Sequence, residues 1–256
     1  MAGVILVTND DGAHAAGLAA LAAALEPLGE VYVVAPDREQ SAVGHALTLH
    51  RPLRVEQLGE RRFAVNGTPS DCVNLAVLGF LPDRPVLVVS GINHGSNLGD
   101  DVTYSGTVSA AMEGTLLGVP SIAVSQSEPE ASGFEAAGEV ARAVATRVLV
   151  EGLPRQTLIN VNVPPGKPQG IKLTRLGHRV YSAKTIKEVD PRGKPYYWIG
   201  TGAPAWAEDT GTDIAAVQAG WAAVTPLHLD LTHHGALRNM SGWESSLNAL
   251  LRRRKK

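Results

Sequence analysis

Two adjacent carboxylates, Asp10 and Asp11, follow the short apolar run Val4-Ile5-Leu6-Val7. Side by side they repel unless something positive lies between them, and a cation is the simplest solution. Polar residues also follow other apolar, β-rich runs. Asp37 and Ser41 come after Val31-Tyr32-Val33-Val34-Ala35-Pro36, and Asn93, His94, Asn97, Asp100 and Asp101 come after Val86-Leu87-Val88-Val89. In an open α/β sheet, ligands bind beyond the carboxyl ends of the strands, so these clusters should converge on one rim. Their donors are mostly oxygens, which select hard cations such as Mg2+, Ca2+ or Mn2+. Asp10-Asp11-Gly12 alone would also suit a turn and a helix cap. Capping does not require all three clusters to be acidic or amide-rich.

Two features point to a phosphate as the ligand of that rim. The stretch Gly91 to Gly99 is punctuated by glycines, which lets backbone amides approach an anion. Ser105-Gly106-Thr107 then opens an Ala-rich segment, and helix N-termini bind phosphate through amides and dipole together. No Gly-x-Gly-x-x-Gly follows the first run and no Gly-Lys-Ser/Thr loop exists, which disfavours nicotinamide binding and Walker-type hydrolysis. Among the eight histidines, His14, His45 and His94 lie near the rim and could act as general acids. His233-His234 after Asp230 hints at a second metal site, but the pair lacks further ligands and fits a surface or packing role.

The elements that must position these residues follow from the apolar patterning. Val4–Val7 and Val31–Pro36 read as strands around an Ala/Leu-rich helix from Ala15 to Leu28, an order that implies parallel pairing through a right-handed crossover. Strand pieces are expected near 46–50, 52–57 and 62–65. Thr68-Pro69-Ser70-Asp71 has the chemistry of a capping box. Further expectations are a strand at Val86–Val89, a long loop from Gly91 to Asp101, a helix from Ser105 to near Gly118, a strand at Ser121–Ser125, a helix at Glu135–Leu149 and a strand at Leu158–Val163. Residues 178–207 hold five of the twelve aromatics around the turn Asp190-Pro191-Arg192-Gly193, which reads as a protruding hairpin arm. Such an arm presents a partner surface. A short helix at Thr212–Ala219, a strand at Trp221–Thr225 and a terminal helix at 241–251 complete the chain. The expected fold is α/β: a Rossmann-like, mostly parallel sheet flanked by helices, as one domain over 1–256 that includes the arm.

The sequence resembles the SurE survival-protein family of metal-dependent nucleotide phosphatases. The likeness is carried by Thr8-Asn9-Asp10-Asp11-Gly12, Ala35-Pro36-Asp37-Arg38 through Ser41, Gly67-Thr68-Pro69-Ser70-Asp71-Cys72-Val73, the block Ser90–Gly114 with Tyr104-Ser105-Gly106-Thr107-Val108 inside it, Asn160-Val161-Asn162-Val163-Pro164, Thr212-Asp213 and Thr225-Pro226-Leu227. These stretches run across nearly the whole chain. The resemblance implies hydrolysis of nucleoside 5′- and 3′-monophosphates, with short polyphosphate as a further substrate, and a Mn2+ or Mg2+ cofactor, sometimes Co2+. It implies Asp10, Asp11, Ser41 and Asn93 as metal ligands, and Asn97 with Ser105, Gly106 and Thr107 around the phosphate. It also implies a homodimer or homotetramer, with the arm exchanged between subunits. Ala42 stands where many members carry glycine.

Asp10 and Asp11 are the catalytic candidates. One of them would orient or deprotonate a water, with Asn9 among the substrate contacts. An aspartyl-phosphate on Asp10 is the alternative chemistry. A non-catalytic metal and nucleotide sensor, or an interaction protein working through its arm, would use the same residues differently. The net charge of −2 argues against a nucleic-acid polymer or an anionic membrane as partner, and Arg252–Lys256 reads as a solvated tail. The single cysteine, Cys72, rules out a disulfide framework within one chain. With no basic leader and no long apolar run, that predicts a cytoplasmic protein.

Overall fold

The computed structural model describes residues 3–128, 133–180, 184–201, 205–206 and 209–253. Tyr181 of the expected arm and residues 254–256 of the basic run lie outside them. The chain opens with β1 (Val4–Thr8), every residue of it buried, as the unbroken apolar run requires of a central strand. Then follow α1 (Ala16–Leu25), tightening into a 3-10 turn at Glu26–Leu28, and β2 (Glu30–Pro36). β3 (Val55–Gly59) and β4 (Arg62–Val65) form an antiparallel pair. α2 (Pro69–Leu75) starts with the capping box, Thr68 and Asp71 each satisfying the other's backbone amide.

β5 (Leu87–His94) precedes a 3-10 turn at Gly99–Thr103, then α3 (Gly106–Leu116), β6 (Ser121–Gln126), α4 (Glu135–Glu151) and β7 (Thr157–Val163). β8 (Ile171–Leu173), β9 (Arg179–Val180), β10 (Lys184–Val189), β11 (Pro195–Thr201) and β12 (Ala205–Trp206) come next. α5 (Asp213–Gln218), β13 (Ala222–His228), α6 (His234–Asn239) and α7 (Trp243–Arg253) end the chain.

Nine strands form one sheet in the order β3-β4-β2-β1-β5-β6-β7-β13-β8. From β4 across to β7 every neighbouring pair is parallel, while β3 and β13 enter antiparallel to their inner neighbours β4 and β7. Alternation along β1 divides the core. Ile5 and Val7 pack with α1 and α4, and Val4 and Leu6 pack with α2 and the Ala110 side of α3. Each such side chain stabilises the fold by about 1.5–3 kcal/mol, so Leu6→Ala would cost about 2–5 kcal/mol. The chain leaves β1 towards β2 on one side and later returns to β5 on the other. This reversal opens a crevice beyond the carboxyl ends of β1 and β5.

Two expectations are corrected. Residues 46–50 form no strand: the Thr48 amide donates to Asp71 Oδ1 and the Ala46 carbonyl accepts from Thr68 Oγ1, so helix-capping residues take the bonds a neighbouring strand would have made. The loop expected from Gly91 starts later. β5 continues to His94 because pairing with β6 resumes at Asn93↔Ser125 after an irregularity that includes a cis Gly91-Ile92 peptide. The hairpin is present as β10 and β11, outside the main sheet. Asp190 Oδ1 accepts from the amides of Arg192 and Lys194 to close its turn, and Tyr197, Trp198 and Ile199 on β11 are exposed. Along α7, Trp243, Leu247, Leu250 and Leu251 are exposed as well.

Candidate active site

The turn after β1 is braced by Asn9, whose Nδ2 donates to the Gly12 carbonyl (3.1 Å) while its Oδ1 accepts from the Gly12 amide (3.2 Å). Asn9 is fully buried, so it serves here as a brace that aims the next two side chains. Asp10 turns beneath the N-terminus of α3, where its Oδ1 accepts from the Thr107 hydroxyl. A side chain at Gly106 could not coexist with it, since a Cβ there would lie 2.7 Å from Asp10 Cβ and 2.8 Å from Oδ2. Asp11 Oδ2 accepts from the His94 amide at 3.2 Å, tying the β1 turn to the end of β5. Asn93, one residue earlier, donates Nδ2 to the Gly95 carbonyl (2.8 Å), so Oδ1 is the atom of that side chain suited to a cation.

The residues after β2 reach the same rim through the backbone: the Gln40 amide donates to the Asp10 carbonyl at 2.8 Å. Ser41 itself is exposed and its hydroxyl donates to Glu39 Oε1 (2.8 Å). Ala42 follows at a φ of 57°, the left-handed region that glycine occupies freely, which gives the substitution noted in the sequence a backbone cost.

The electrostatics are those of uncompensated negative charge. Burial pushes the Asp10 carboxyl up to about 6, with Asp11 adding to the rise and the Thr107 hydrogen bond opposing it. Asp11 is raised too, chiefly by burial, while the His94 amide pulls the other way. A divalent cation among these groups would relieve both. The donors fit one of the hard class, being two carboxylates, an amide oxygen and, after rotation away from Glu39, a hydroxyl. Among the described residues no three His, Cys, Asp or Glu side chains gather around a metal-sized space, so such a site depends on Asn93 and Ser41 beside the carboxylates.

The residues placed around a phosphate divide in two. Ser105 Oγ caps α3 by accepting from the Val108 amide (3.1 Å) and Thr107 Oγ1 is committed to Asp10. That leaves the first-turn amides of α3, which have no intrahelical partner, as the groups there able to donate to an anion. Asn97 is buried further back. Its Nδ2 donates to Ser125 Oγ, its amide to Asn162 Oδ1, and its carbonyl accepts from Asn160 and Asn162. These two asparagines interrupt an apolar strand at period two; their stretch carries part of the family likeness, but the sequence reading did not name them as site residues.

The sequence reading also did not single out Asp213 as a site residue. Fully buried, it accepts from the amides of Gly99 and Gly177 at 2.8 Å each and of Ile214 at 2.9 Å. Gly99, with φ 54°, lies so near Gly177 that a Cβ would be 2.7 Å from that residue's carbonyl oxygen. Asp213 thus fastens the Asn97 loop to the base of the arm. His14 is exposed, and His45 pairs with Glu113. His233 caps α6, and His234 pairs with Asp230 at 2.6 Å.

Known proteins resemble this chain over most of its length. The family model described as survival protein SurE matches residues 5–183. The protein named 5'-nucleotidase SurE from Syntrophotalea carbinolica is 54% identical over 242 residues, covering 94% of this chain and 97% of its own. Its namesake from Geobacter sulfurreducens is 54% identical over 246 residues, with 94% of each chain covered. The crystal structure of the SurE protein from Aquifex aeolicus superposes with a TM-score of 0.85 at 46% identity, over 94% of this chain and 99% of that one.

Proposed function

The chain belongs to the SurE survival-protein family, and on that premise we propose that it is a divalent-cation-dependent 5′-nucleotidase, releasing phosphate from nucleoside monophosphates. The observation that carries the reading is the Asp10–Asp11 pair, with Asp10 buried against the phosphate-attracting end of α3. Asp10, Asp11, Asn93 and a rotated Ser41 would hold the cation. When bound, Mn2+ or Mg2+ supplies positive charge that polarises the phosphoryl oxygens and acidifies water at the site.

The protein's own part is positioning and proton handling. Asp10 is braced by Thr107, and Asp11 by the His94 amide, so both carboxylates face the rim in fixed orientations. One of the two orients the attacking water and accepts its proton. The amides of Gly106 and Thr107, with the Ser105 hydroxyl beside them, stabilise charge growing on the equatorial oxygens, while the Thr107 hydroxyl holds Asp10 and the Asn97 side chain holds the adjoining loop. Nucleoside 3′-monophosphates and short polyphosphate are further substrates under this reading.

The exposed Tyr197, Trp198 and Ile199 of the hairpin support assembly as a homodimer or homotetramer. Among the described residues no helix is long and apolar enough to cross a membrane.

The test is phosphate release from AMP, GMP, 3′-AMP and tripolyphosphate with Mn2+, Mg2+ or Co2+, beside Asp10→Asn. Release that needs the cation and vanishes in the variant supports the assignment. Cation-independent release, or none from any nucleotide, overturns it.

A further inference from the structure

Residues 38–50 form a strap across the face of α2 and α3, and four contacts fasten it. The Gln40 amide donates to the Asp10 carbonyl (2.8 Å), and His45 Nε2 meets Glu113 Oε2 (2.7 Å). The Ala46 carbonyl accepts from Thr68 Oγ1 (2.7 Å), and the Thr48 amide donates to Asp71 Oδ1 (2.8 Å). Only the His45 contact uses a side chain of the strap. Between the Gln40 and His45 anchors lie Ser41, Ala42, Val43 and Gly44, with Ala42 and Gly44 both at positive φ. Where His45 is held therefore fixes where Ser41 can stand.

Glu113 is an unexpected partner. It lies within α3, only 4% exposed, and seven residues beyond Gly106, which is two turns or about 10 Å along the helix. It takes no part in the rim. Its second oxygen accepts from Asn74 Nδ2 at 2.8 Å. The His45 hydrogen bond, helped by Asn74, holds its carboxyl below the usual range against the effect of burial. An ionised carboxylate can only accept, so His45 Nε2 donates. A buried charge is expensive unless paired, and here the pair is made to a loop that carries a candidate ligand.

We propose that Glu113 and His45 form a latch that positions the Ser41 strap against Asp10, so that the cation affinity of the rim depends on a contact two helical turns away. This rests on the reading of the rim as a cation site. Both are positioning residues, since neither touches the rim. α3 then serves two ends: its first turn seats Asp10 and its interior seats the strap.

The test compares wild type, His45→Ala and His45→Gln as full chains. His45 lies on an exposed strap and Asn74 still bonds Glu113 without it, so the fold survives its loss, and glutamine restores a donor. Hydrogen exchange of the strap amides is measured without metal, Mn2+ binding by the electron-spin resonance of free Mn2+, and phosphate release from AMP against Mn2+ concentration. In His45→Ala the strap amides should exchange, and Mn2+ should dissociate, roughly tenfold more readily, while amides of β1 and β5 stay as protected as before. Saturating Mn2+ should restore most of kcat, and His45→Gln should recover most of both losses.

Unchanged exchange and Mn2+ affinity in His45→Ala overturn the latch, and so does a kcat loss that persists at saturating Mn2+ with affinity intact. A wild type that binds no Mn2+ overturns the cation reading itself, and the latch's purpose with it. A wild type that binds Mn2+ beside an unaltered variant overturns the latch alone.

Discussion

Gly106→Ala sets a methyl group against the Asp10 carboxylate. The new Cβ would stand 2.7 Å from Asp10 Cβ, 2.8 Å from Oδ2 and 3.1 Å from Cγ. Non-bonded carbon contacts settle at about 3.5 Å, so the Asp10 side chain must retreat by roughly 0.8 Å or α3 must lift by as much. The fold has reasons to accept this. Alanine is the better helix former by about 0.5–1 kcal/mol, which offsets part of an overpacking cost of about 1–3 kcal/mol. In a chain of this size that residue leaves the melting temperature within about 2–8 °C of wild type. Activity has no such compensation. A misplacement on the ångström scale at the reacting centre costs on the order of 10²-fold. The assay is initial-rate phosphate release from AMP at saturating Mn2+, with a thermal melt of the same samples. Combination with Asp10→Asn should add almost nothing to the loss, because both changes disable one contact. A Gly106→Ala protein that releases phosphate at the wild-type rate with an unchanged melt refutes the reasoning.

Asp10→Asn should stabilise the metal-free protein at neutral pH by about 1–3 kcal/mol, since burial lifts the Asp10 carboxyl from 3.8 to about 6 and the ionised form opposes folding. The benefit is full above pH 6 and fades as pH falls towards 3.8; denaturant melts at several pH values in chelator check it, and a pH-independent difference contradicts it. Asp213→Ala strands the Gly99 and Gly177 amides, each worth about 1–3 kcal/mol when buried unpaired, so urea melts should show a loss of roughly 3–5 kcal/mol. Asp213→Asn should lose less, and equal losses for the two variants count against the hydrogen-bond account. Cys72 is fully buried and burial holds its thiol well above the ordinary value, so a thiol reagent should label it only as fast as the protein unfolds; rapid labelling of native protein defeats this.

Local chemistry made the strands and helices legible. The α2 cap needs only Thr68 and Asp71, three residues apart, and β1 needs only its own apolar run. The positions of Asp10, Asp11 and Asn93 at strand ends followed from the parallel sheet, whose connections force those ends to one edge. The segment 46–50 misled because its apolar letters alternate as in a strand, yet Leu49 is 88% exposed and the backbone serves a helix cap. β8 was missed because it has three exposed residues and no pattern to detect. The long-range contacts behind the rim were illegible for another reason. His45 and Glu113 are 68 residues apart, and Gly99 and Asp213 are 114 apart, and no periodicity links such partners. Asn160 and Asn162, polar within an apolar strand, left a local trace, which entered the sequence reading as family likeness and not as part of the site.

Because the Gly99 turn is tied to a carboxylate so far downstream, the order of synthesis bears on when this protein can work. A ribosome that has finished β6 and α4 has already made every residue proposed to touch cation or phosphate. The sheet from β4 to β6 can assemble at that stage, but the turn beyond Asn97 still lacks Asp213, and Asn97 still lacks the asparagines of β7. Both arrive with the last hundred residues, and domains generally form as their chain emerges. A nascent or prematurely ended chain would then carry the chemical groups without the grip that aims them. On this view the aiming of those groups is complete only once the C-terminal part is made.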